Sequence, residues 1–175
     1  MILVESDLSG EWDSSSGLPA LAERAVRAAV AASDWNDLGD SPVTIEVSVK
    51  FTGNDEVQSL NAQYRGKNKP TNVLSFPMIE GDLLDQLVAA GGGEILLGDI
   101  VLARGICAEE AADKGISIDD HATHLVVHGT LHLLGYDHEE DEEEAEAMED
   151  TERRALAALG IADPYPTEVQ FQADA

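Results

Sequence analysis

Residues 124–138 read HLVVHGTLHLLGYDH and hold four of the five histidines in the chain. Residues four apart on a helix lie one turn apart on the same face, so His128 and His132 are expected to direct their imidazoles to one point. Gly135 follows, where a left-handed residue lets the chain leave the helix, and the turn after it can bring His138 back toward the first two. The stretch therefore predicts a long helix that carries two histidines and a turn that adds a third.

Three imidazoles that converge in this way are typical of a catalytic zinc site. A structural zinc ion is normally closed by four protein ligands, whereas a catalytic one keeps a position open and lowers the pKa of bound water to about 7. We therefore expect one Zn²⁺ per chain at His128, His132 and His138. The triplet His124, His128 and His132 would span about 12 Å along the axis and cannot share one ion, so His124 is expected to support the site or contact the substrate.

The same spacing occurs in metzincin proteases, which read HExxHxxGxxH and use the glutamate as general base. Here that position is Gly129. A peptidase without its carboxylate would lose most of its activity, so water would have to be activated differently or by the metal alone. A zinc metallopeptidase-like hydrolase is therefore kept only as an alternative.

Residues 124–138 closely resemble a block of the YbeY family of bacterial endoribonucleases. Residues 60–77, LNAQYRGKNKPTNVLSFP, resemble a second block of that family, and residues 97–101, LGDIV, a third. The three blocks follow in the family order, and the resemblance covers about Val43 to Tyr165. It implies a metal-dependent, single-strand-specific endoribonuclease that acts in 3′-end maturation of small-subunit ribosomal RNA and in ribosome quality control.

The resemblance also implies roles for a basic loop. Arg65 matches an arginine regarded in the family as essential, and a guanidinium stays charged and can hold a phosphate through two parallel N–H bonds. Lys67 and Lys69 are expected to bind the substrate beside it, as is His124. The expected partners are single-stranded ribosomal RNA and a small-subunit ribosomal protein, without DNA or a membrane. A non-catalytic, zinc-stabilised ribosome assembly factor is the other alternative.

The formal net charge of −25 is unusual for a protein that binds nucleic acid. Ten acids lie between Glu139 and Glu152, a run that favours the start of a helix through the macrodipole. Asp137 and Glu139 are expected to have a further role besides stabilising the helix. A carboxylate beside His138 can orient an imidazole or accept a proton. We hypothesise that the acidic body limits non-specific RNA binding and leaves productive binding to the small basic loop or to a ribosomal protein.

The remaining patterns predict a mixed α/β (α+β) fold, one domain over residues 1–175, with about four strands, about five helices and a zincin-like metal helix. Residues 43–49 alternate between apolar and polar side chains, as expected for a strand with one buried face. Strands are also expected at 72–76 and 94–102. Helices are expected at 18–32, at 54–64 with Asn54 as the cap, at 103–114, and from a cap at Ser117 or Asp119 to Gly135, with Leu125 and Val126 facing inward. Residues 79–93 are expected to form a flexible loop with a helical turn or two, and the tail 164–175 to be frayed.

Two further features concern the cellular compartment. The single cysteine, Cys107, excludes an internal disulfide and is expected to be a small buried apolar residue. No run approaches 18 apolar residues, and Met1–Asp7 lacks a basic leader region. We therefore expect a cytoplasmic protein.

Overall fold

The computed structural model describes residues 1–9, 12, 17–79, 81–136 and 142–165. Within these residues the strands are β1 (Ile2–Leu8), β2 (Thr44–Thr52), β3 (Val73–Pro77) and β4 (Glu94–Ala103). The α-helices are α1 (Leu18–Ala32), α2 (Asn54–Arg65), α3 (Gly81–Ala90), α4 (Arg104–Lys114), α5 (Ile118–Leu133) and α6 (Glu142–Ala158). None of the described helices is long and apolar enough to cross a membrane.

The four strands form one mixed sheet in the order β1-β2-β4-β3. β2 runs parallel to both β1 and β4, whereas β3 pairs antiparallel with β4. The apolar positions of β2, from Ile45 to Phe51, are buried, and the polar positions between them are only partly covered. The predicted α/β class is therefore confirmed, as is the alternation of β2.

β1 is a strand that the sequence analysis does not predict. It pairs with β2 along its whole length, from Ile2 beside Ile45 to Leu8 beside Phe51. The sequence ILVESDL begins with three consecutive apolar residues, which does not give the strict alternation of a half-buried strand. Pairing with a neighbour distant in sequence, rather than a local pattern, makes this segment a strand.

α5 lies against the sheet and is covered by α1 and α6, and it has more buried residues than any other described helix. Leu125 and Val126, predicted to face inward, are buried in the main core. Ser117 is the N-cap, and its side chain accepts a hydrogen bond from the backbone N–H of Asp120 at 3.0 Å. Cys107 is also buried in this core, and burial raises the pKa of its thiol to about 12, as expected for a packing residue.

Three local predictions differ from the structure. Residues 81–90 form a ten-residue helix, α3, because Leu84 is 1% exposed in the core and anchors it; the flexibility of residues 79–93 is still a prediction. Asn54 does not cap its own helix, since its side chain accepts from the backbone N–H of Ile106 in the first turn of α4. Tyr165 is partly buried rather than frayed, and 166–175 lie outside the described residues.

Two glycines let the helix layer approach the sheet closely. A Cβ at Gly129 would lie 2.9 Å from the Ile100 side chain, and one at Gly98 would collide with the Phe76 carbonyl and lie 2.7 Å from Leu133. α5 can therefore pack against β4 only because both positions lack a side chain.

We expect Gly98→Ala to lower the free energy of unfolding by about 1–3 kcal/mol, because the strands or Leu133 must move to admit the methyl group. Urea unfolding followed by circular dichroism measures the change. Gly92→Ala is the matched control, since a Cβ there meets nothing within 4 Å. Equal unfolding midpoints for the two variants would contradict the packing argument.

Candidate metal centre and basic cleft

His128 and His132 lie side by side on α5, with ring centroids 4.7 Å apart. Both side chains are partly exposed, whereas Leu131 and Leu133 between and beside them are buried. The helical spacing thus places the two imidazoles on the open face of a helix whose other faces are packed. His138, Asp137 and Glu139 lie outside the described residues.

The carboxylate of Glu152, on α6, lies behind this pair and is 1% exposed. One oxygen accepts a hydrogen bond from Nδ1 of His128 at 3.1 Å. The other accepts from Nε2 of His124 at 2.5 Å and from the hydroxyl of Tyr165 at 2.8 Å. Burial alone would raise the pKa of Glu152, but the bonds from His124 and His128 outweigh it and lower the pKa to about 2. Glu152 is therefore an ionised, fully hydrogen-bonded carboxylate.

This arrangement fits a zinc ion. Because Glu152 accepts the Nδ1 proton of His128, the Nε2 atom carries the lone pair that a metal needs. A histidine ligand whose other ring nitrogen donates to a carboxylate is common in zinc proteins. The described residues contain no group of three or more His, Cys, Asp or Glu side chains arranged to hold a metal. His138, predicted as the third ligand, lies outside them, so its role is still a prediction.

A cleft of about 260 Å³ separates the two histidines from the basic loop. Arg65, Lys67 and Lys69 line one side, and His128 and His132 line the other. The three basic side chains are exposed, and none forms an ion pair with a described acid. The structure thus brings together the histidines and the cations that the sequence analysis selected from separate segments.

The basic loop is held from behind by buried amide groups. Asn61, which is 2% exposed, donates from its side chain to the carbonyl of Lys69 at 2.8 Å, and its own carbonyl accepts from the backbone N–H of Lys67 at 3.2 Å. Gly66 ends α2 with a φ of 70°, which a glycine adopts without strain. The loop is therefore fixed by its backbone, and its charged side chains are left for a ligand.

His124 and His121 lie deeper on the same helix. His124 is 7% exposed and bonded to Glu152, which favours a supporting role over contact with the substrate. His121 is 1% exposed and donates to Glu110 at 2.8 Å, and the same Glu110 oxygen accepts from the side chain of Asn72 at 3.0 Å. Burial lowers the pKa of His121. Through Glu110 these bonds connect α5 to Asn72, the residue just before β3.

The family model described as "Endoribonuclease YbeY" matches residues 14–160. This chain belongs to the YbeY family. Proteins named "Endoribonuclease YbeY" from Rhizorhabdus wittichii and Sphingopyxis alaskensis are 55% and 52% identical to it over 165 residues. The matches cover 94% of this chain and 97% and 98% of those relatives. The resemblance to the YbeY family is therefore confirmed, and it extends further toward the N-terminus than the predicted start at Val43.

A solved structure agrees with the YbeY fold found here. The solution structure of TM1509 from Thermotoga maritima has a TM-score of 0.52 and 28% sequence identity, and the match covers 94% of this chain and 98% of that one. The structural match therefore extends over nearly the whole length of both chains.

Glu152 is the residue that sequence reasoning missed in this YbeY-family chain. It lies in the acidic run from Glu139 to Glu152, which by itself indicates only the helix macrodipole. Its position carries a signal, however, because Met148, Ala155 and Leu156 lie three or four residues away and are buried. A single acid within an apolar helical stripe needs a partner when it is buried.

Proposed function

We propose that this chain is a zinc-dependent endoribonuclease that cuts single-stranded RNA in the cytoplasm, in the maturation and quality control of small-subunit ribosomal RNA. The cleft between the two histidines and the basic loop carries this proposal, because it offers cations for phosphate beside nitrogen donors for a metal. The printed name of the relatives supports the same enzyme class.

In this proposal His128, His132 and His138 hold the zinc ion. When bound, zinc supplies Lewis-acid polarisation of a phosphoryl oxygen. Arg65 binds the scissile phosphate through its paired N–H groups and stabilises the negative charge that develops in the transition state. Lys67 and Lys69 bind neighbouring phosphates and fix the position of the strand. Asp137 and Glu139 stay predictions as residues that orient His138 or accept a proton.

The peptidase alternative is weakened by the packing around Gly129. In metzincins this position carries the catalytic glutamate. Here a Cβ would already lie 2.9 Å from the Ile100 side chain, so a longer side chain does not fit without displacing that side chain. The proton acceptor of a protease is therefore missing for a steric reason.

The acidic surface supports a basic protein as the second partner. A groove of about 670 Å³ beside β1, β2 and β4 has a mostly apolar lining, with the acids Glu5, Asp7 and Asp99 among its residues. Lys50 in this groove is already paired with Glu56 at 2.6 Å. Such a groove repels RNA phosphates and suits a basic small-subunit ribosomal protein.

We expect the zinc-loaded protein to cleave a labelled single-stranded RNA, and the chelator-treated protein to leave it intact. DNA of the same sequence should not be cut. RNA methylated at every 2′-oxygen distinguishes attack by water, which persists, from attack by the ribose 2′-OH, which is blocked. Equal cleavage before and after chelation would contradict metal dependence, and no cleavage by the zinc-loaded protein would favour the assembly-factor alternative.

A further inference from the structure

Glu152 is placed to control the chemistry of a residue in the candidate metal centre rather than only to stabilise the fold. It joins α6 to two histidines of α5 and to Tyr165, which follows α6 in the chain. We propose that Glu152 is a positioning residue that holds His128 in the tautomer protonated on Nδ1 and so makes Nε2 the ligating atom. The role rests on the proposed function, in which His128 binds the metal.

The hydrogen bonds leave Glu152 little freedom to do otherwise. Its Oε1 atom accepts from two donors, His124 and Tyr165, so the carboxylate cannot rotate without losing both bonds. Its Oε2 atom is thereby directed at Nδ1 of His128. In a site this deeply buried, a carboxylate facing a ring nitrogen requires a proton on that nitrogen. The tautomer of His128 is thus fixed from a residue 24 positions away.

A glutamine at position 152 would keep the shape of the side chain and reverse the requirement for a proton on Nδ1 of His128. An amide has one acceptor oxygen, and the two donors at Oε1 favour placing that oxygen there. The amide N–H₂ would then face Nδ1 of His128, which must become an acceptor and move its proton to Nε2. The opposite orientation would force the His124 proton onto Nδ1, a buried atom with no hydrogen-bond partner among the described residues.

The decisive experiment compares Glu152→Gln with the wild-type protein in the metal-free state. Nitrogen-15 NMR of the histidine rings reports the tautomer of His128, and competition with a chromogenic chelator measures zinc affinity. We expect the Nδ1–H tautomer in the wild type, the Nε2–H tautomer in the variant, and a 10- to 100-fold loss of zinc affinity. Glu146→Gln, the same change at an exposed position of α6, should alter neither quantity.

Two results would overturn the positioning role. One is an Nε2–H tautomer of His128 in the metal-free wild type, which needs no variant to observe. The other is a folded Glu152→Gln protein with wild-type tautomer and zinc affinity. Tyr165→Phe, which removes one hydroxyl that holds Glu152, should lower zinc affinity in the same direction by a smaller factor. A wild type that binds zinc with the expected tautomer but cuts no RNA would refute the proposed function alone.

Discussion

His132→Ala should remove zinc binding and lower the rate of RNA cleavage by about 10³-fold or more, while the protein stays folded. His132 lies beside His128 on the open face of α5, so its loss removes a proposed ligand without emptying a position in the core. Circular dichroism checks the fold, chelator competition measures the metal, and a labelled single-stranded RNA measures cleavage.

The control for this variant is Asp120→Ala, an exposed substitution in the first turn of the same helix. It should retain both zinc and activity. A folded His132→Ala protein that cleaves RNA at the wild-type rate would exclude His132 as a required ligand. An unfolded one would instead indicate that the zinc has a structural role, as in the assembly-factor alternative.

Arg65→Ala should lower kcat by about 10²- to 10³-fold, because it removes the donors proposed to stabilise the charge on the phosphate. Zinc affinity and the unfolding midpoint should not change, since the side chain is exposed and pairs with no described acid. Arg65→Lys should be intermediate, because it keeps the charge and loses the paired N–H geometry. Single-turnover cleavage at saturating RNA measures each rate.

Arg24→Ala is the matched control, because Arg24 is an exposed arginine on α1, away from the cleft. It tests whether a lost charge alone slows cleavage by a protein with a net charge of −25. If Arg65→Ala retained the wild-type kcat, the basic loop would have no part in catalysis. Equal losses in the Arg24 and Arg65 variants would point to a general electrostatic effect.

Local patterns predicted the parts of the fold that neighbouring residues determine. The cap at Ser117, the helix through Leu133 and the alternation of β2 all follow from sequence spacing. β1 is different, because its seven residues become a strand by pairing with a segment more than 40 positions away. α3 likewise depends on Leu84 reaching the core, which a short apolar segment beside three glycines does not reveal.

The candidate site also has parts that local spacing predicts and parts that it does not. Spacing alone put His128 and His132 on one helical face, but only the resemblance to a family connected them with Arg65. The cleft between them exists because α5 packs against β3, the strand that follows the basic loop. The bond from His128 to Glu152 crosses from α5 to α6, and although the apolar stripe of α6 marks Glu152 as buried, no pattern within either helix specifies its partner.

The contact between Gly129 and Ile100 has a consequence for how this active site can change by mutation. By its spacing, α5 is one substitution from the metzincin signature, since glutamate for glycine at position 129 would complete it. That step is opposed by packing, because the new side chain would first have to displace the side chain of Ile100. Evolution or design toward peptide cleavage would need to make room at Ile100 before adding the acid, which helps to keep the two enzyme classes separate.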